Sequence, residues 1–92
     1  MKDIAIYGAG GFGREVLTLV QETDRTAPLY RMVGFFDDGV PKGAAVNGFP
    51  VLGGLDDLNA WPSELCLAVG VGSPQARRRI VRDITNGRVT FP

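Results

Sequence analysis

Gly8, Gly10 and Gly13 stand in the run Gly8-Ala9-Gly10-Gly11-Phe12-Gly13, a G-x-G-x-x-G spacing whose chemistry is the handling of phosphate. Gly8 turns the chain out of a strand. Gly10 lets backbone approach an anion with no Cβ in the way, and Gly13 lets a helix pack close to a sheet. Unpaired N–H groups at the helix start, at the positive end of its dipole, favour negative charge there. Arg14 falls in the first turn, where the dipole disfavours a cation, so it reads as an exposed helix residue or as the partner of a bound phosphate.

Two further groups support this turn. Asp37-Asp38 stand 24 residues beyond Gly13, near the place where a ribose-binding acid falls, about 20 residues on, in dinucleotide folds. Asp-Asp-Gly is also good loop chemistry, so a solvated turn is the alternative. Gly70-Val71-Gly72 leads into Ser73, a natural N-cap, and Pro74, a natural first helical residue. With a strand order 3-2-1-4-5 the two glycine turns lie side by side across the switch point and line one crevice. Arg77, one turn into the second helix, falls on the crevice side if Ala76 and Ile80 face the sheet. The run Arg77-Arg78-Arg79 with Arg82 is no single stripe, because consecutive helical residues point in different directions, and reads as a solvated face.

The chain excludes much other chemistry. It has no histidine, so a Ser-His-Asp triad, a Cys-His nucleophile, a His-ligated metal and an imidazole base are all impossible within it. We therefore assign no catalytic and no metal-binding residue. Cys66 lies alone in an apolar run and reads as a small buried hydrophobe in a reducing compartment. Ten basic and ten acidic residues cancel, leaving no field that argues for nucleic acid or an anionic membrane. The balance is uneven along the chain: beyond Leu65, five arginines face Asp83 alone. No signal peptide or membrane span is evident, and the chain reads as cytoplasmic.

The elements that must position these residues alternate. Ile4–Tyr7 reads as a strand buried on both faces. Phe12 to Glu22 reads as a helix, with Phe12, Val16, Leu19 and Val20 on one face and Leu17 widening it. Thr23 to Pro28 is the expected return loop. A second strand ends at Phe36, a loop spans Asp37 to Gly48, and a brief strand covers Phe49–Leu52. One or two helical turns follow over Leu55–Ala60, with Trp61 beside Pro62 as a surface lid over them. Leu65–Val71, the longest apolar run, is the expected sheet centre. A helix over Pro74–Thr85 should bury Ala76, Ile80, Val81 and Ile84 and close at Asn86-Gly87. Val89–Phe91 is a possible fifth strand.

The expected fold is thus α/β, a small Rossmann-like parallel sheet of four or five strands flanked by helices, filling residues 1–92 as one domain. Thirteen glycines, about twice an average usage near 7%, then read as ligand geometry, since the 45% hydrophobic content is that of an ordinary globule.

IAIYGAGGFGREVL (Ile4–Leu17), VGFFDD (Val33–Asp38), GFPVLGGLDDL (Gly48–Leu58), AVGVGSPQAR (Ala68–Arg77) and RVTFP (Arg88–Pro92) resemble the N-terminal domain of bacterial sugar O- and N-acyltransferases, the sialic acid O-acetyltransferase and UDP-N-acetylbacillosamine N-acetyltransferase group. The resemblance implies a domain that binds a UDP-linked amino sugar. It also implies a following left-handed β-helix that binds acetyl-CoA, forms a homotrimer and supplies a catalytic histidine. It places sugar-nucleotide contacts at Gly8, Gly10, Gly11, Phe12, Gly13 and Arg14, the uridine near Asp37 and Asp38, and a second loop at Gly72, Ser73 and Arg77. Family members often carry histidine and lysine at the positions of Phe12 and Arg14, so the sugar contacts are expected to differ. The chain stops where the β-helix should begin, as a separate or truncated domain would, so no cofactor is expected on it. An NAD(P)-binding redox or sensor domain and a ligand-free regulatory module are the alternative readings.

Overall fold

Alternating apolar strands and amphipathic helices leave a chain of this length one economical packing, a sheet covered by helices on its two faces. The computed structural model describes residues 1–26 and 29–92 and has this form. Its elements are β1 (Lys2–Tyr7), α1 (Gly11–Thr26), β2 (Tyr30–Phe36), β3 (Ala45–Val46), β4 (Phe49–Gly53), α2 (Leu55–Asn59), β5 (Leu65–Val69), α3 (Pro74–Asp83) and β6 (Val89–Thr90). The strand order is β3-β4-β2-β1-β5-β6. Every pairing is parallel except that of β3 with β4. The five parallel strands have the 3-2-1-4-5 order under which the two glycine turns adjoin, so the fold is Rossmann-like with a sixth, antiparallel strand added at one edge.

That strand corrects the expected Asp37–Gly48 loop. Val46 pairs with Phe49 across Asn47 (φ 50°) and Gly48 (φ 84°), a two-residue hairpin turn that needs positive φ at both centres and takes Asn-Gly for that reason. The sheet centre is also not β5. β1 lies in the middle of the parallel strands, and Ala5 and Ile6 are fully buried. β5 is shorter than expected, and its end, Ala68 and Val69, is only half-buried because the next strand, β6, has two residues and pairs only with Leu65 and Cys66.

Side chains of β1 alternate between two cores, as a period of two requires. Ala5 and Tyr7 join Phe36, Leu58, Leu65 and Leu67 on one face, with Ile80 and Ile84 packed against them. Ile6 joins Leu17, Phe35 and Val51 on the other. Trp61 belongs to the first core rather than forming a surface lid: half-buried, it meets Phe36 edge-on at 5.5 Å and 88°.

The apolar face of α1 is rotated from the expected one. Leu17 is buried, whereas Phe12 (46% exposed) and Leu19 (64%) face outward. At about 100° per residue, Val16, Leu17 and Val20 lie within roughly 60° of Gly13, and Phe12 and Leu19 lie about 100–120° away on one flank. The helix must present Gly13 to the sheet, and that contact sets its rotation. The helix also continues through Thr26, so the expected return loop is helical over Thr23–Thr26; Ala27 and Pro28 lie outside the described residues.

The helix α3 ends at Asp83, short of the expected Thr85, and buries none of its residues fully; Val81 is exposed. Asn86-Gly87 does not close it. Instead the Asn59 amide donates to the Asp83 carbonyl at 3.1 Å and its oxygen accepts from the Thr85 N–H at 2.8 Å. Asn86 donates to the carbonyls of Leu58 and Trp61, both at 3.0 Å. Two asparagines thus fasten α2 to the end of α3 and the start of β6. No helix among the described residues is long and apolar enough to cross a membrane.

The rotation of α1 has a measurable consequence. Leu17→Ala should cost about 2–4 kcal/mol in denaturant unfolding, the range for a buried leucine. Leu19→Ala should stay within about 0.5 kcal/mol of the parent. Equal losses would return Leu19 to the core face.

Candidate functional site

The strands β4, β2, β1 and β5 end level with one another, and backbone hydrogen bonds carry the ladder one step past their ends. Asp37 donates to Gly53, Gly8 to Phe36 and Gly70 to Tyr7, each at 2.8 Å. Four loops therefore leave the same edge together. In an open α/β sheet this carboxyl edge is where ligands bind.

Glycine lets the loops close on one another. Gly8 has φ 106°, and a Cβ on it would come within 2.7 Å of the Gly70 carbonyl oxygen. A Cβ on Gly70 would lie 2.7 Å from the Gly13 Cα, and one on Gly13 would overlap the Gly8 carbonyl. Gly8 and Gly13 thus hold the expected roles of turn and close packing. Gly70, not foreseen as a site residue, is the third member, and its signal was its place in Gly70-Val71-Gly72. Gly10 and Gly11 differ, for a Cβ on either meets nothing within 4 Å.

Helix α1 begins beneath this open space. Its first intrahelical bond runs from the Arg14 N–H to the Gly10 carbonyl at 3.0 Å, so the N–H groups of Gly11, Phe12 and Gly13 precede the ladder. Among the described residues no side chain accepts from them, and the first turn holds no acid. The other helix starts are closed. Ser73 Oγ accepts from the Ala76 N–H at 3.3 Å on α3. On α2, Asp57 accepts from the Gly54 N–H at 3.0 Å and Asp38 from the Leu55 N–H at 3.1 Å. Among the described residues, only α1 offers its orphan donors and dipole end to something else.

The two aspartates at the end of β2 turn to opposite faces. Asp37 accepts from the Ala9 N–H inside the glycine turn and from the Gly39 N–H, both at 2.8 Å. Asp38 accepts from the Tyr7 hydroxyl as well as from Leu55. Both carboxylates therefore brace loops, a duty the spacing did not reveal, and Tyr7 enters the site through Asp38. Burial, the bond to Asp38 and the charges of Asp38 and Asp37 push the Tyr7 phenol well above its ordinary value.

On the opposite flank, Phe12 reaches across to the second glycine turn. A Cβ on Gly72 would lie 3.9 Å from the edge of its ring. The Arg77 guanidinium folds back toward the Val69 carbonyl at 3.5 Å, which places it at the end of β5. Arg14 is exposed with no carboxylate at ion-pair distance among the described residues. The crevice thus gathers Gly8, Gly10, Gly11, Phe12, Gly13, Asp37, Asp38, Gly72, Ser73 and Arg77 at one edge.

Other hollows lie away from this edge. One of about 490 Å³ opens at the amino edge, beside Lys2, Arg31 and Cys66. It lacks an open helix end, Arg31 is paired with Asp3 at 2.9 Å, and burial pushes the Cys66 thiol up, away from the reactive thiolate. No group of metal-ligating side chains occurs among the described residues.

A family model described as the PglD N-terminal domain matches residues 3–84. No curated protein matches the chain.

Two measurements test the geometry. Gly13→Ala should cost at least about 2–3 kcal/mol, since the clash is with backbone that cannot turn aside; a loss of a few tenths would mean that α1 does not abut Gly8. The folded pKa of Tyr7 lies above its unfolded value, so its stabilisation is complete below about pH 10 and is lost as pH rises through the folded pKa. Tyr7→Phe should lower stability near neutrality by about 1.5–3 kcal/mol, the range for a hydrogen bond to a charged group, and flatten the alkaline loss. An absorbance titration in which Tyr7 ionises at an ordinary value in the folded chain would contradict the bond to Asp38.

Proposed function

The chain belongs to the PglD N-terminal domain family, and from that premise we propose that it is the nucleotide-sugar-binding domain of a bacterial sugar acetyltransferase, with a UDP-linked amino sugar as its ligand. One observation carries the reading: the first turn of α1 holds no acid, no side chain among the described residues accepts from its N–H groups, and Gly10 and Gly11 leave the space beside them open. A diphosphate is the ligand group that suits several adjacent N–H donors at a positive dipole end. The turn formed by Gly8, Gly10, Gly11 and Gly13 takes the phosphates, with Arg14 and Arg77 as the nearby cations. Asp37 and Asp38 keep acceptor capacity beyond their bonds within the chain, since a carboxylate has about four lone-pair sites, and stand on the uridine side. Phe12, Gly72 and Ser73 stand on the sugar side.

The role of this domain is presentation. It contains no histidine, so acetyl transfer from acetyl-CoA to a sugar amine or hydroxyl is assigned to other residues. On this reading the assembly is a cytoplasmic homotrimer serving surface polysaccharide synthesis.

Substitution at Gly10 separates binding from folding. Gly10 occupies the N-cap position and has room for a side chain. Asp there should cap α1 and stabilise the domain by about 0.3–1 kcal/mol, while its carboxylate occupies the anion site. Calorimetry and amide chemical shifts should show UDP binding at Gly10–Arg14 in the parent and a loss of at least about tenfold in Gly10→Asp. Parent protein that ignores UDP, that binds NAD(H) more tightly, or that loses no affinity on this substitution would overturn the proposal.

A further inference from the structure

Phe12 is the anomaly of the crevice. It is 46% exposed in the first turn of α1, beside the open N–H groups, and contributes nothing to either core. Exposed single apolar residues are ordinary on a surface. This one is set between two glycine turns, with its ring edge toward Gly72, in a cleft whose other features are polar. A flat apolar wall in such a place fits a ligand surface that is itself poor in hydroxyls.

The topology says which part of a ligand would reach it. The strand β1 lies between β2 and β5. Asp37 and Asp38 rise from the β2 side, while Gly72 and the ring of Phe12 lie on the β5 side. Phosphates on the start of α1 sit between these flanks, so the two ends of an asymmetric diphosphate diverge toward unlike surfaces. Carboxylates accept hydrogen bonds from hydroxyl and imide donors, and an acid at the end of the second strand of such folds faces the nucleoside. The opposite end of the ligand then runs toward Phe12.

We infer that Phe12 is a specificity-determining residue of this site, a platform for the apolar face of the hexosyl group of a nucleotide-diphosphate sugar. The inference rests on the nucleotide-sugar reading above. The ring face carries negative electrostatic potential, which suits the polarised C–H groups of a pyranose lying flat on it. An aliphatic side chain of similar bulk supplies apolar contact but no such face.

Calorimetric titration of the 92-residue chain with UDP and with UDP-N-acetylglucosamine tests this. The parent should bind the sugar nucleotide about fivefold or more tightly than UDP. Phe12→Ala should leave UDP affinity within about twofold and bring UDP-N-acetylglucosamine down to the level of UDP. Phe12→Tyr should retain most of the gain from the sugar and Phe12→Leu little of it, with thermal melts unchanged because the side chain supports no core. Equal weakening of UDP and the sugar nucleotide by Phe12→Ala would put the base on the ring and overturn the inference. So would a parent that binds UDP but gains nothing from the sugar, or a Phe12→Ala variant that behaves as the parent. A parent that binds neither compound would fail earlier, at the nucleotide-sugar reading itself, and take this inference with it.

Discussion

Three stretches of backbone, at Gly8, Gly13 and Gly70, meet with no room for a Cβ between them. The contact fixes the start of α1 against the ends of β1 and β5, and most of the carboxyl edge follows from it. Once Gly13 faces the Gly8 carbonyl, the helix cannot rotate, so Leu17 is driven into the core and Phe12 is turned to the crevice. The turn needed to bring Gly8 around has φ 106°, a conformation that glycine adopts at no steric cost. Shape at this edge is thus decided by absent side chains rather than by packed ones.

A turn so lightly built needs support, and the aspartates of β2 supply it. Adjacent strand residues point to opposite faces, so Asp37 reaches the glycine turn through Ala9, while Asp38 reaches Tyr7 and the start of α2. One dipeptide therefore ties together β1, β2 and the turn between β4 and α2. Hydrogen bonds to charged groups contribute about 1.5–3 kcal/mol each, more than neutral ones. Against this bracing, the uncapped start of α1 is the exception. An N-cap contributes about 0.5–2 kcal/mol; Ser73 supplies one to α3, and Asp57 and Asp38 bond the first N–H groups of α2. Leaving α1 without it is a local departure from the most stable sequence, the kind found at binding sites.

Much of this was legible in the residues. The parallel pairing follows from the alternation of strand and helix, and the positions of Gly8, Gly13 and the second turn follow from the motif. Structure and expectation part for one physical reason: the residues of a single element do not show what its neighbours impose on it. Periodicity centres the stripe of α1 on Phe12, Val16, Leu19 and Val20, although the true face is set by the smallest residue, Gly13. The two residues of β3 carry no periodicity, and only Asn47-Gly48 marks the hairpin. Trp61 beside Pro62 reads as a surface lid, but its ring packs edge-on against Phe36. The bonds of Asp37 and Asp38 were hidden for a related reason: partners 28 and 31 residues away in sequence are visible only after folding.

A pair of carboxylates beside the start of α1 calls for an explanation, because like charges about 4 Å apart repel by roughly 1 kcal/mol in water and more where solvent is reduced. Here Asp37 faces two N–H dipoles, while Asp38 faces a phenol and a third N–H. Each donor draws the negative charge toward the protein and away from the crevice. The cations are placed on the other side. Consecutive arginines on α3 fan out at about 100° per residue, so only some can turn inward; Arg77 does so, whereas Arg82 is held by Asp83 at 2.9 Å. The crevice is therefore polarised across its width, with spare acceptors on the β2 flank, open N–H donors in the middle, and an apolar ring with a cation on the β5 flank. A symmetric anion gains only from the middle of such a surface. A ligand with a donor-bearing group at one end, negative charge at its centre and a hydroxyl-poor face at the other gains from all three, and in one orientation only.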